Sequence, residues 1–528
     1  MNFNKSERFA FFGSLLLGFL AHGYTFMNNF QYHDDVNFYA FGAELGLGRG
    51  SNYLLGKIFR VIFGGDIISL PLFNGILAIT IIALTSMLIV KILKMSNAFF
   101  AFMAGGAIAV FPSLTSVLGY RFMVWTYSLA YLSSAFGVYL ITGQKIKFRA
   151  KFFAAVTCFV FAVGIYQSVI PFILSLASLS ILRQFIDNNN SWKTFYAEII
   201  KWICICAVFM TIYAFLTVLP AFVFPMLGKS FSFTSYQGFN EAGNVSFSEI
   251  FGRVYTAYYR SFYPPLNTMG DVYPMSIRYF FYAVSAISVL LSLLVIIRTY
   301  SRSKRQGLQC IIIMAVLPLM INFIYVMCDS TKTLIYSIME YAQVFTFIYM
   351  CFIFELADDN SFINSERFRK YLCRTITALM FMICFLYIRF DNICYLKASY
   401  IQSRAISYFT VLQARIQSVH GYKDRYPVVM VNRFDKSKLN VTITEQLENV
   451  YIPPYYNDLL NDYTWVQFMG LHCGYSPEVY YCGKDSVFDN PERVIEPSQE
   501  IAEQIEAMPH YPDDGAVKVM DEKIFVKF

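Results

Sequence analysis

Charge is scarce in this 528-residue sequence. Asp, Glu, Lys and Arg together supply 15% of it, against roughly 25% in an average soluble chain. A water-soluble globular protein of this size is thereby excluded. Eleven cysteines and five histidines are present. No C-x-x-C pair and no His/Cys cluster at zinc spacing occurs among them, which removes a structural zinc or a dithiol motif. Most of the cysteines (Cys158, Cys204, Cys206, Cys310, Cys351, Cys384) lie in apolar runs and are expected to pack as small hydrophobes. No internal repeat or low-complexity tract is visible. The paired, interrupted spans that mark inverted-repeat transporters are missing too.

What fills the chain is apolar. Hydrophobic residues make up 57% and aromatics 18%, with 54 Phe and 39 Tyr, and the mean hydropathy is +0.48. The net charge of +7 divides unevenly. Residues 1–390 carry 29 Lys and Arg against 16 Asp and Glu, and residues 391–528 carry 13 against 19. The positive excess falls in short loops between apolar runs, as the orientation rule for cytoplasmic loops requires. No basic stripe stands outside those loops, so nucleic acid is not expected as a partner.

The first apolar run, Phe9–Met27, follows Lys5 and Arg8. It is long for a signal peptide, and Met27-Asn28-Asn29 offers no small-residue cleavage site. It is predicted to be an uncleaved span with a cytoplasmic N-terminus. Further spans are predicted at 67–90, 98–117, 122–142, 152–169, 170–186, 199–219, 276–297, 309–327, 333–356 and 371–390, about eleven in all. The cationic loops at Lys91/Lys94, Lys145–Lys151, Arg183/Lys193, Arg298–Arg305 and Arg367–Arg374 fall on one side, and an odd count puts the C-terminus on the other. The expected fold is an α-helical polytopic membrane protein over 1–390, with long outer loops at 28–66 and 220–275. A small α/β extracytoplasmic domain follows over 391–528.

Within the first outer loop, Tyr53–Phe63 has the apolar period of an interfacial amphipathic helix. In the tail, Asp391–Val419 has helical period without enough apolar length to span. Pro427–Asn432 has the pattern of a short buried strand. Outside the cytoplasm, Cys473 and Cys482 would share an oxidising compartment. A disulfide and two free thiols both remain open.

The candidate chemistry begins at Asn28–Asn37, directly after the first span, where His33, Asp34 and Asp35 are adjacent. Ionisable groups this close to a bilayer are costly to desolvate and tend to mark function. A hydrated acidic loop is the plainer alternative. An ionised carboxylate can act as general base toward a hydroxyl. Two neighbours on an extended segment point apart, so one can work while the other holds a cation. Two carboxylates alone leave Mg²⁺ short of ligands, and no metal or other cofactor is favoured. Glu44 is a further acid on the same predicted loop. Arg121, Arg253, Arg260, Arg278 and Lys332 are outer-side cations suited to a phosphate leaving group. Arg253 and Arg260, seven apart, would share a helix face, which also suits lipid headgroups. Glu340 falls inside a span and needs a partner there. His22, within the first span, fits a hydrogen bond to a neighbouring helix.

Tyr32-His33-Asp34-Asp35 after the first span, Gly48-Arg49-Gly50, and Gly164-Ile-Tyr-Gln-Ser168 together resemble the GT-C membrane glycosyltransferases. More narrowly, they resemble the bacterial serotype-converting, Gtr-type O-antigen glucosyltransferases. The likeness covers the membrane part and not the tail. It implies an undecaprenyl-phosphate sugar donor at the periplasmic face of the inner membrane and a hydroxyl of lipid-linked O-antigen as acceptor. It also implies Asp34 or Asp35 as base, with inversion at the anomeric carbon in one displacement. His33, Glu44 and the five cations would then belong to substrate binding. An O-antigen polymerase or ligase would lean on outer-loop arginines, and the acidic first loop argues against it. A lipid-linked sugar flippase would line its spans with charge, and these spans are nearly free of it.

Overall fold

The computed structural model describes residues 3–36, 43–65, 68–143, 148–233, 247–263, 275–328, 335, 337–432, 434, 436–441, 444–448, 450, 460, 464–482 and 493–528. These form two compact units. The first comprises residues 1–28 and 40–392, and the second comprises 29–39 and 393–528.

The first unit is helical. Helix α1 (Lys5–Met27) precedes the short α2 (His33–Val36), and a 3₁₀ turn at Ala43–Leu47 leads into α3 (Gly50–Phe63). Then follow α4 (Pro71–Leu93), α5 (Ala98–Val110), α6 (Pro112–Gly119), α7 (Val124–Thr142), α8 (Phe148–Ile165), α9 (Ile170–Asp187) and α10 (Trp192–Met226). Helix α11 (Phe247–Phe262) precedes α12 (Met275–Arg302), α13 (Lys304–Ile321), the short α14 (Ile324–Met327), a 3₁₀ stretch Ser337–Val344, α15 (Phe345–Asp359) and α16 (Glu366–Ser418).

Among the described residues nine helices are long and apolar enough to cross a membrane, or ten if α5 and α6, bent by 44° at Phe111-Pro112, count as one span. The expected count of about eleven takes in 152–169 as well, the stretch occupied by α8. There α8 carries Arg149 and Lys151 in its first turns. Proline marks the next start: α9 has Pro171 in its first turn, where the missing N–H costs nothing.

Small residues let α1 and α5 touch. A Cβ on Gly105 would stand 2.2 Å from the Ala10 carbonyl oxygen, and one on Gly13 2.1 Å from that of Phe102. The Ser14 hydroxyl donates to the Gly105 carbonyl at 2.6 Å, and His22 Nε2 donates to the Ala109 carbonyl at 2.8 Å. Close backbone approach with polar bonds across it is how helices associate where no hydrophobic gradient separates them from their solvent. By contrast Phe215, Leu216 and Phe222 of α10 and Leu54, Ile58, Val61, Ile62 and Phe63 of α3 are exposed. That is the outward apolar face predicted for the interfacial helix at 53–63.

The second unit is α/β. Strands β1 (Val428–Val431), β2 (Val479–Cys482), β3 (Val517–Met520) and β4 (Lys523–Lys527) form one sheet in the order β2-β1-β4-β3. β1 runs parallel to both β2 and β4, and β3 is antiparallel to β4. Every residue of β1 is buried, as a central parallel strand covered on both faces requires. Val428 and Met430 face a core with Ala405, Phe409 and Leu412 of α16 and Phe468 and Met469 of α18 (Trp465–Cys473). Val429 and Val431 face Ile505 of α19 (Gln499–Glu506) and Phe525. A short α17 (Glu445–Glu448) completes the unit. Cys473 packs against the first core and Cys482 sits in the second. They lie on opposite faces of the sheet, and both are free thiols.

Candidate functional site

The acidic segment belongs to the second unit. Tyr32 and Val36, each 1% exposed, join the core that contains Ala398, Ile401 and Phe468. Burying two such side chains is worth roughly 1.5–3 kcal/mol apiece, enough to fix the short helix α2 between them. Its backbone closes through Val36 N–H to the Tyr32 carbonyl at 3.0 Å. Asp35 is buried at 3% exposure, and Asp34 is half-buried. The side chain of His33 lies outside the described residues.

Glu44 was expected on the same loop as the aspartates, yet it belongs to the first unit. The tyrosine and valine that flank the aspartates carry them into the α/β core, whereas Glu44 lies in the 3₁₀ turn leading into α3. There, 4% exposed, it pairs with Arg49 at 3.3 Å. The Arg49 guanidinium also stacks 4.8 Å from the centre of the Tyr166 ring. Burial works against its charge. Glu44 and the phenols of Tyr127, Tyr166 and Tyr120 outweigh that, so its pKa is raised above the ordinary value.

Of the cations expected on the outer side, the described Arg121 sits apart from Arg253 and Arg260. Arg121 is buried and donates to the Asn28 carbonyl at 3.0 Å and to the Thr25 hydroxyl at 2.8 Å. Those bonds tie the C-terminal end of α1 to the turn before α7. Arg253 and Arg260 do share a face of α11, and both meet α14. Arg253 donates to the Val326 carbonyl at 3.3 Å and pairs with Glu249 at 3.2 Å. Arg260 lies 5.5 Å from the Tyr325 ring centre. The Tyr325 hydroxyl in turn donates to Glu340, the acid predicted to need a partner within a span. Gln343 donates to Asn322 at 2.8 Å, and Asn322 to the Ser261 hydroxyl at 2.6 Å. Arg278 is buried on α12. Lys332 lies outside the described residues.

The two glycine motifs do come together. Gln167 donates to the Leu47 carbonyl and to the Tyr213 hydroxyl, each at 2.8 Å. A Cβ on Gly164 would stand 2.4 Å from Ser51 Oγ, so α8 passes α3 closely at this glycine. Between them lies a cavity of about 340 Å³ lined by Leu45, Gly48, Gly50, Leu54, Gly164 and Leu216, with the hydroxyl groups of Ser51, Tyr53, Tyr213 and Thr217. Leu54 and Leu216 are themselves exposed, so its rim is continuous with the outward apolar faces of α3 and α10. A larger groove between α1 and α4 is lined almost wholly by hydrocarbon and offers no polar anchor. Arg49, Tyr166, Gln167 and Tyr213 were not among the predicted site residues. Three of them sit inside the quoted motifs, but only a fold brings Gln167 to Leu47.

The architecture defines a polytopic helical membrane protein with a small α/β unit in its C-terminal part. Within that class the chain belongs to the glucosyl transferase GtrII family, which matches residues 23–354. It is therefore a glucosyltransferase, of the family that the acidic segment and the two glycine motifs resemble. The match takes in all three features and ends before Ile393. No curated protein and no solved structure matches the chain.

Proposed function

We propose that this glucosyltransferase moves glucose from a polyprenyl-phosphate donor, most simply undecaprenyl-phosphate glucose, to a hydroxyl of lipid-linked O-antigen. The reaction takes place at the periplasmic face of the bacterial inner membrane. The N-terminus is cytoplasmic and the C-terminal unit periplasmic. The acceptor oxygen attacks the anomeric carbon while a carboxylate of the Asp34/Asp35 pair takes its proton. The bond from that carbon to the phosphate oxygen breaks, polyprenyl phosphate leaves, and the configuration inverts. Asp34 is the better base, because part of its surface is open whereas Asp35 is buried. Positive charge meets the leaving phosphate, drawn from Arg253, Arg260, Arg278 or Lys332. No metal is invoked for this step.

The observation that supports a lipid donor is the cavity bounded by Gly48, Gly50 and Gly164. Its walls are mostly apolar with a few hydroxyls, and its rim residues Leu54 and Leu216 face outward. Such a pocket suits a greasy phosphosugar arriving sideways from the bilayer.

The test is transfer by the purified full chain in nanodiscs, supplied with polyprenyl-phosphate glucose and lipid-linked O-antigen. Release of polyprenyl phosphate in step with acceptor glucosylation is expected. Movement of donor across a sealed bilayer without transfer, or joining of acceptor units without use of the donor, would replace this reading with a flippase or a polymerase.

A further inference from the structure

The segment that carries Asp34 and Asp35 is built into the C-terminal unit, on residues that lie outside the family match. Gln31 N–H donates to Gln402 Oε1 at 3.0 Å, and Gln402 Nε2 donates back to the Asn29 carbonyl at 2.9 Å. One side-chain amide of α16 thus bonds the strand-like approach to α2 from both sides. His472 Nε2 donates to Gln31 Oε1 at 2.8 Å. The ring of His472 is itself held 4.3 Å from that of Phe468, a residue with no exposed surface. Tyr32 and Val36 then plug the core on either side of the aspartates. Three hydrogen bonds and two buried side chains fix eight residues, far more than a surface loop needs.

We propose that Gln402 and His472 are positioning residues for the carboxylate base, and that the C-terminal unit is part of the transfer machinery. This rests on the assignment of Asp34 or Asp35 as base. A base must sit within about 3 Å of the proton it takes, and displacement by ~1 Å can cost about 100-fold. A segment released from Gln402 and His472 would keep its carboxylates and lose their placement. The effect therefore belongs in kcat, not in donor KM.

The test uses variants that keep side-chain volume. H472F retains the ring contact with Phe468 and removes only the bond to Gln31. Q402M removes both amide bonds. H472Q restores a donor toward Gln31. In the full chain in nanodiscs, H472F and Q402M are expected to lower kcat about 10- to 100-fold with donor KM within about twofold, and H472Q to recover most of it. Wild-type kcat in folded H472F and Q402M, with D34N inactive, would overturn the inference alone. Full transfer by both D34N and D35N would instead remove the base assignment beneath it. Should the variants fail to fold, hydrogen exchange on the unmodified protein decides. The amides of Gln31 and Val36 are expected to be protected like those of β1, and exchange at exposed-loop rates would refute the arrangement.

Discussion

His472 Nε2 lies 2.8 Å from Gln31 Oε1, although 441 positions of chain separate the two residues. An acidic segment that follows the first apolar helix is thereby bonded to a helix near the far end of the sequence. The aspartates inherit whatever stability the α/β unit has.

Replacing Asp34 with Asn should lower glucose transfer at least about 100-fold, the usual contribution of a general base, and change thermal stability less than the same substitution at the buried Asp35. Asp35→Asn should alter the unfolding temperature as well, because Asp35 is 3% exposed. Parallel transfer assays and thermal denaturation separate the two. Equal loss of stability in both variants would contradict the division of roles.

Arg49→Ala leaves Glu44 buried without its cation. Breaking a pair of this kind by removing one partner costs about 3–5 kcal/mol, and a fall of that size in detergent-solubilised stability is expected. Changing Glu44 and Arg49 together to apolar residues of similar volume should recover most of it, since neither charge is then stranded.

At Gly164 the expected outcome depends on Ser51. Gly164→Ala drives a methyl toward Ser51 Oγ, which stands 2.4 Å from the ideal Cβ position. Overpacking of this kind costs about 1–3 kcal/mol, and separation of α3 from α8 should raise donor KM. Adding Ser51→Gly removes the obstructing atoms and should restore both values. A double variant no better than the single would place the defect elsewhere.

No such rescue is available at Gly105. A Cβ there meets the backbone oxygen of Ala10 at 2.2 Å, and backbone cannot step aside. Gly105→Val should therefore disrupt the α1–α5 contact and reduce the yield of folded protein. Size-exclusion profiles after solubilisation report it directly.

His472 gives a pH dependence with a definite sign. Partial burial lowers its pKa below the ordinary value of 6.5, so the folded state favours the neutral ring. The stability this contributes is complete above about pH 6.5. It is lost as pH falls through the lower, folded pKa. Wild type should lose stability relative to His472→Gln on acidification, and the two should run parallel above neutrality. Unfolding midpoints over pH 5–8 measure the difference.

Several features were legible without a fold because they depend on local composition. Long apolar runs announced the helices, and Val428–Val431 announced a buried strand by its continuous apolar character. The histidine in the first span was expected to bond a neighbouring helix, and His22 does so at Ala109. The family followed from three short motifs. Each of these signals is complete within a few consecutive residues.

Partnership across the chain was not legible. Asp35 and Glu44 are nine positions apart and looked like one acidic loop. Yet Tyr32 and Val36 take the first into the α/β core, while Arg49 and Tyr166 hold the second among the helices. Cys473 and Cys482 looked able to pair until the sheet set them on opposite faces. The reason is the same in each case. Periodicity and hydropathy fix which surface a residue must bury, but the partner that buries it is chosen by packing between segments hundreds of positions apart. Only the tertiary structure could bring Gln167 to Leu47 and Gln402 to Gln31.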